Sequence, residues 1–150
     1  MKKLVFGLIA TVVFAFNGNA QKVGESRDGK FVITEDLSFL KEKWDDLLKD
    51  NKIDGEIDRF EITAETYKDD KTNEDVTYYQ ITGYTKDNFG KVASVLSFDK
   101  IAFSLEASSS SCTCSGCTYG CHPRLLKGVA WCCIDGCNEC TKTETAGRKL

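Results

Sequence analysis

The chain has 150 residues, of which 41% are hydrophobic and 29% charged, and its formal net charge at pH 7 is −3. This ordinary balance excludes a wholly disordered chain, and the low glycine and proline counts exclude a collagen-like or low-complexity one. A mildly acidic chain without a basic stripe is a poor nucleic-acid binder, so we expect no nucleic-acid partner.

Residues 1–20 have the three-part pattern of a secretory signal peptide. Two lysines precede a largely apolar run at 4–16, and the small residues Gly18 and Ala20 fit cleavage after residue 20. A thirteen-residue helix is about 20 Å long, which is too short for a hydrocarbon core about 30 Å thick. We therefore predict an exported protein, extracellular or periplasmic, whose mature chain has no transmembrane span.

Residues 21–106 predict an α+β domain with one N-terminal helix packed on a three- to four-stranded antiparallel sheet. Leucines and a tryptophan recur at helical spacing between about 35 and 49,. Three segments with strand-like alternation or composition follow, at 57–67, 76–85 and 92–105,. The alternation changes phase near 99–100, which predicts a bulge or tight turn there.

The acidic residues of this domain are expected to form a solvated face and not a catalytic site. Glu61, Thr63 and Glu65 alternate with apolar residues and are predicted on the solvent side of their strand,. This domain has no histidine, no serine in a nucleophile-elbow pattern and no phosphate-binding glycine loop,. The sequence therefore predicts a protein that is not an enzyme.

Residues 107–111 read as a serine-rich linker, and 112–150 as a cysteine-rich module with a polar C-terminal tail. All eight cysteines of the chain lie in this module, at Cys112, Cys114, Cys117, Cys121, Cys132, Cys133, Cys137 and Cys140. Apolar residues other than cysteine are too few here to form a sufficient core, so cross-links must supply stability. An even number of cysteines in a short exported segment predicts four disulfides, with no metal or other cofactor.

Two other uses of the cysteines stay open. Cys114-x2-Cys117 and Cys137-x2-Cys140 are separated by nineteen residues, which suits a zinc site on those four cysteines,. The same Cys-x-x-Cys pairs make thiol–disulfide oxidoreductase the enzyme class nearest to the pattern. A redox pair, however, normally needs a helix N-terminus to lower a thiol pKa, and none is recognisable here.

A basic and apolar segment between the two cysteine groups is the candidate binding surface. Its residues are Arg124, Leu125, Leu126, Lys127 and Trp131. A constrained segment of this composition suits an unknown protein or anionic surface, because little ordering entropy is lost on binding. Alternatively, its apolar members are the core of the module.

We therefore predict a small exported binding or interaction protein with a disulfide-stapled C-terminal module. The second hypothesis is a precursor that releases the tail as a toxin-like or antimicrobial peptide. An acidic 21–106 beside a slightly cationic tail permits charge masking before such cleavage,. A zinc-binding cysteine-rich module is the third.

Overall fold

The computed structural model of the protein describes residues 20–128, 130–134, 137 and 139–147. The predicted signal peptide therefore lies outside the described residues, apart from Ala20. Within them the chain forms ten strands and one helix, α1 (Ser38–Asp50), which lies between the second and third strands. The strands are β1 (Gln21–Arg27), β2 (Lys30–Ile33), β3 (Ile57–Lys68), β4 (Asp75–Thr85), β5 (Gly90–Phe98), β6 (Ala102–Leu105), β7 (Ser111–Ser115), β8 (His122–Leu126), β9 (Ala130–Ile134) and β10 (Thr141–Thr145).

Eight of these strands form one antiparallel sheet that is nearly closed and barrel-like. One edge of β5 pairs with β4, which in turn pairs with β3. The other edge pairs first with β7 and then, at its last two residues, with β6. The sheet continues from β7 to β10 and from β6 through β1 to β2. The remaining two strands, β8 and β9, form a separate hairpin.

The predicted fold class is wrong, although the helix and the three strand segments after it lie close to their predicted positions. The protein is mostly β, with 54% of the described residues in strands and 10% in the helix. A helix of thirteen residues cannot cover a sheet of eight strands, so the sheet curls and covers much of its own apolar face,. The chain is thus not a helix packed on three or four strands.

The main core lies between α1 and the concave side of the sheet. Leu40, Trp44 and Leu48 of α1 are fully buried there against apolar side chains from β1, β3, β4, β5 and β6. Trp44 packs so closely on Gly83 that a Cβ at that position would lie 2.8 Å from the indole ring. The helix of the described residues is too short and too polar to span a membrane.

A second core lies on the opposite face of β5 and β7, where the β8–β9 hairpin covers the sheet. Trp131 of β9 packs there with Ala93 and with buried cysteines of β7. Strand β5 is therefore buried on both faces, since its Val92 and Leu96 belong to the main core. Five residues of β7 pair with β5, so the strand at the end of the predicted linker hydrogen-bonds to a strand of the predicted first domain. The predicted domain boundaries themselves stay a prediction.

Candidate functional site: the disulfide-bonded layer

Three disulfides hold the C-terminal region, which confirms the prediction of a disulfide-stapled segment. They join Cys114 to Cys133, Cys117 to Cys137 and Cys121 to Cys140. The corresponding Cα atoms are 5.8, 6.2 and 5.6 Å apart, within the usual range for disulfides,. The first connects β7 to β9, and the other two connect the loop at 116–121 to the segment before β10.

The last two cysteines, Cys112 and Cys132, are free thiols. Cys112 is fully buried, and burial raises the pKa of its thiol to about 12. Cys132 is partly exposed, and its sulfur lies 3.4 Å from the carbonyl oxygen of Arg124. A fourth disulfide would have to join these two thiols. That bond is not formed in the structure and stays a prediction.

Seven of the eight cysteine sulfurs fall into two groups, and that of Cys132 belongs to neither. Cys112, Cys114 and Cys133 lie within 4.8 Å of one another, and so do Cys117, Cys121 and Cys137. Cys140 is bonded to Cys121 and so adjoins the second group. The quartet that the sequence suggested for zinc combined Cys114 with Cys117, Cys137 and Cys140, and it therefore draws on both groups.

A buried lysine fixes the loop that carries two of these cysteines. Lys91, at the start of β5, has no exposed surface. Its ammonium donates to the carbonyl oxygens of Asn88 (2.5 Å), Cys117 (3.1 Å) and Gly120 (2.7 Å). Burial lowers the pKa of Lys91, and the nearby Asp87 carboxylate opposes that shift. The ammonium thus ties the loop at 116–121 to the β4–β5 turn.

Sequence reasoning missed Lys91. The only available signal was a lysine at the beginning of an apolar run, between Gly90 and Val92. Lysine is rarely fully buried, so this position alone indicates an exposed side chain. The three carbonyl groups that compensate its charge come from two separate loops, and no sequence pattern predicts that they meet.

The loop at 116–121 presents aromatic surface beside a disulfide. The side chain of Tyr119 is 94% exposed, and Phe89 of the β4–β5 turn is 39% exposed. Both line a shallow depression together with Cys117 and Cys137. Cys117 and Cys121 anchor the two ends of the loop through their disulfides. The result is a rigid loop with one large side chain directed into solvent.

The five residues predicted for binding have different surroundings. Trp131 is buried, and its indole nitrogen donates to the Ser110 hydroxyl at 3.1 Å. Leu125 is half-buried against the second core. Leu126 is 54% exposed and lies near the tip of the β8–β9 hairpin. Most of the apolar surface expected for binding therefore lies inside the module.

The two basic residues of the same set are in ion pairs. Arg124 contacts the Glu65 carboxylate at 2.5 Å, and Lys127 contacts Asp70 at 2.8 Å. Glu65 was predicted to be solvated, but its side chain is only 15% exposed because the β8–β9 hairpin covers this face of β3. The positive charge of the hairpin is thus largely matched within the molecule.

Polar side chains of β4 bond the hairpin to the sheet. The Gln80 amide donates to the Pro123 carbonyl at 3.0 Å, and the Leu125 backbone N–H donates to the Tyr78 hydroxyl at 2.9 Å. Burial raises the pKa of Tyr78, which keeps its hydroxyl neutral. These hydrogen bonds orient β8, while the disulfide on β9 holds the other strand of the hairpin.

Comparisons of the chain with protein-family models, with curated proteins and with solved structures find no match. The candidate site therefore has to be interpreted from its own geometry.

Proposed function

We propose that the protein is an exported, non-enzymatic binding protein that contacts a protein partner through the loop at 116–121. The observation that carries this proposal is the 94% exposure of Tyr119 on a loop fixed from three sides. Disulfides at Cys117 and Cys121 hold its ends. The Lys91 ammonium donates hydrogen bonds to two of its backbone carbonyl groups.

The physical chemistry of binding supports this assignment. Aromatic side chains supply large contact areas and are enriched among the residues that dominate protein interfaces. A loop that is already ordered loses little conformational entropy when a partner binds. The exposed part of Phe89 adds apolar area beside Tyr119.

The β8–β9 hairpin is a weaker candidate, because Arg124 and Lys127 are already paired with acidic residues. The precursor hypothesis is also disfavoured. Strand β7 lies between β5 and β10 and pairs with each of them over five residues. Cleavage at 107–111 would leave these hydrogen bonds in place, and removing the tail would expose the edge of β5.

The proposal is tested with the mature chain and two serine variants, Tyr119→Ser and Ile101→Ser. Ile101 is 68% exposed in the turn after β5, at the opposite end of the strand from Phe89. The exported fraction of the source cells is passed over each immobilised protein. Co-purified partners are identified by mass spectrometry, and their affinity is measured after purification.

We expect one partner to bind the natural chain and Ile101→Ser with equal affinity. Loss of a dominant interface side chain costs about 2 kcal/mol or more, so Tyr119→Ser should weaken that complex by a factor of about 30. The proposal fails if the partner binds Tyr119→Ser as tightly as the natural chain. It also fails if no partner forms a stoichiometric complex.

A further inference from the structure

The second sulfur group contains two disulfides packed side by side. The Cys121 sulfur is bonded to that of Cys140, and it also lies 3.8 Å from the Cys117 sulfur and 3.6 Å from the Cys137 sulfur. The latter two are bonded to each other. Three cysteine sulfurs therefore lie within 4.8 Å of one another, and the sulfur of Cys140 adjoins them through its bond to Cys121.

Two sulfur–sulfur contacts between the two disulfides have the spacing of a zinc-thiolate site. Zinc bound by four thiolates is tetrahedral with zinc–sulfur distances of about 2.3 Å, which puts neighbouring sulfurs about 3.8 Å apart. The contacts of Cys121 with Cys117 and Cys137 already have this length. Once reduced, the sulfurs of each disulfide would have to separate from about 2 Å to the same distance. Rotation of the cysteine side chains would have to bring the Cys140 sulfur to this distance from the other three.

The order of the four cysteines along the chain fits the same chemistry. Cys117-x3-Cys121 is followed after fifteen residues by Cys137-x2-Cys140. Structural zinc sites commonly combine two such close pairs across a gap of about 15 to 20 residues. The candidate ligand set therefore differs in one residue from the quartet predicted from sequence. It contains Cys121 in place of Cys114, because Cys114 belongs to the other sulfur group.

A buried cation compensates part of the negative charge that such a site carries. Four thiolates and one zinc ion carry a net charge of −2. The Lys91 ammonium lies behind the loop that supplies two of the ligands, and it is bonded to the backbone carbonyl of Cys117 and that of Gly120, which precedes Cys121. A buried cation at this position stabilises an adjacent thiolate cluster.

We propose that Cys117, Cys121, Cys137 and Cys140 bind one zinc ion when the chain is reduced, so that these sulfurs form either two disulfides or one metal site. Two molecules of a dithiol reductant open the two disulfides, each giving two electrons and two protons and becoming a cyclic disulfide. The four thiols then release four protons as their thiolates bind zinc. In the reverse direction, two molecules of hydrogen peroxide take up four electrons and four protons, the disulfides form again, zinc leaves and four water molecules result.

The test uses the mature chain, fully reduced by a dithiol, freed of reductant without oxygen, and divided into samples with and without one equivalent of Zn²⁺. N-ethylmaleimide is added, and the labelling rate of each cysteine is followed by peptide mass spectrometry. We expect zinc to slow labelling of the four proposed ligands by about tenfold or more, because a zinc-bound thiolate is a poor nucleophile. Labelling of Cys132 should not change.

Three serine variants identify the ligands by cobalt absorbance, since Co²⁺ bound by thiolates in a tetrahedral site has intense charge-transfer bands. We expect Cys114→Ser and Cys132→Ser to bind one Co²⁺ per chain as the natural protein does. Cys121→Ser should bind it about 100-fold more weakly.

Protection of Cys114 in place of Cys121 would overturn the assignment. Equal zinc protection of all eight cysteines, or none at all, would do the same. The labelling experiment on the natural chain keeps this test valid even if a variant fails to fold. Neither measurement involves a binding partner, so its outcome is independent of the proposed function.

Discussion

The buried ammonium of Lys91 is compensated by three backbone carbonyl oxygens. This arrangement is a strong constraint because a charged donor forms stronger hydrogen bonds than a neutral one. Removing the ammonium is costly, because each carbonyl that loses this donor becomes a buried acceptor without a partner.

Replacing Lys91 by methionine should therefore destabilise the protein by about 3 kcal/mol, while keeping the volume of the side chain nearly constant. Unfolding by urea with the disulfides intact measures this change in the free energy of unfolding. Lys43→Met, at an exposed position of α1, is the matched control and should change stability by less than about 0.5 kcal/mol,. Equal midpoints for the two variants would show that the ammonium is not what holds the loop.

Cys112 and Cys132 differ in their access to solvent. The number of thiols that react with a reagent should therefore differ between the folded and the unfolded protein. We expect a thiol reagent to label Cys132 in the folded, oxidised protein and to label Cys112 only after unfolding. The reason is that Cys112 is fully buried with a pKa of about 12, so almost none of it is thiolate near neutral pH,.

Intact mass after labelling gives the count, which should be one in buffer and two in denaturant. Cys132→Ser is the control and should abolish the label in buffer. No label in denaturant would instead support the fourth disulfide predicted from the sequence.

Three turns between neighbouring strands share one feature, an aspartate at the first or second residue of the turn. Asp69, Asp87 and Asp99 each accept hydrogen bonds from backbone N–H groups two or three residues later. For Asp69 and Asp99 these bonds are the main cause that lowers the pKa. For Asp87 the main cause is the bond from the Thr85 hydroxyl.

The pKa of Asp99 lies below its ordinary value of 3.8 in the folded state, so the unfolded chain binds this proton first as the pH falls. The carboxylate therefore contributes stability above about pH 5, which is lost as the pH decreases through the folded pKa. Urea midpoints measured from about pH 5 to pH 2 should fall less steeply for Asp99→Asn than for the natural chain. Asp54→Asn, at an exposed position, is the control and should follow the natural chain. Identical slopes for all three proteins would contradict the prediction.

At the scale of secondary-structure elements, the sequence predicted the helix and strands whose residue pattern is local. The stripe of Leu40, Trp44 and Leu48 located α1, alternation located β3, and composition located β4. The phase change near 99–100 marks the turn between β5 and β6. The first hairpin was missed, although Asp28-Gly29 at its turn is a common two-residue hairpin signal and both residues have positive φ,.

The arrangement of these elements could not be predicted, because it depends on contacts between distant segments. Ala93 and Val95 alternate with Val92 and Leu96, so β5 has apolar residues on both faces, yet nothing local indicates that cysteines cover the second face. The cysteine pairing is similarly non-local. Eight cysteines allow 105 sets of four disulfides, and the loop conformations that select among them are not encoded by spacing alone.

At the scale of the whole molecule, export and cleavage after Ala20 remain a prediction. Gln21 is the first residue of β1 and pairs with Leu105 of β6, so cleavage at this bond would leave the sheet complete. Intact-mass measurement of the exported protein should therefore give a chain that begins at Gln21. An exported product that retains Met1 would refute this, and one that begins beyond Gly24 would have lost pairs between β1 and β6.

The order of the three disulfides along the chain has a consequence for proteolysis. Their first members are Cys114, Cys117 and Cys121, and their partners follow in the same order as Cys133, Cys137 and Cys140. Each of the three disulfides thus joins the chain before one segment to the chain after it. This segment runs from Cys121 to Cys133 and contains the exposed part of the β8–β9 hairpin. A protease that cuts after Arg124 or Lys127 would leave two fragments joined by three covalent bridges, and only a reductant would then separate them. The cut chain would thus stay in one covalent piece, heavier by one water molecule than the uncut chain, with a new pair of chain ends at the hairpin.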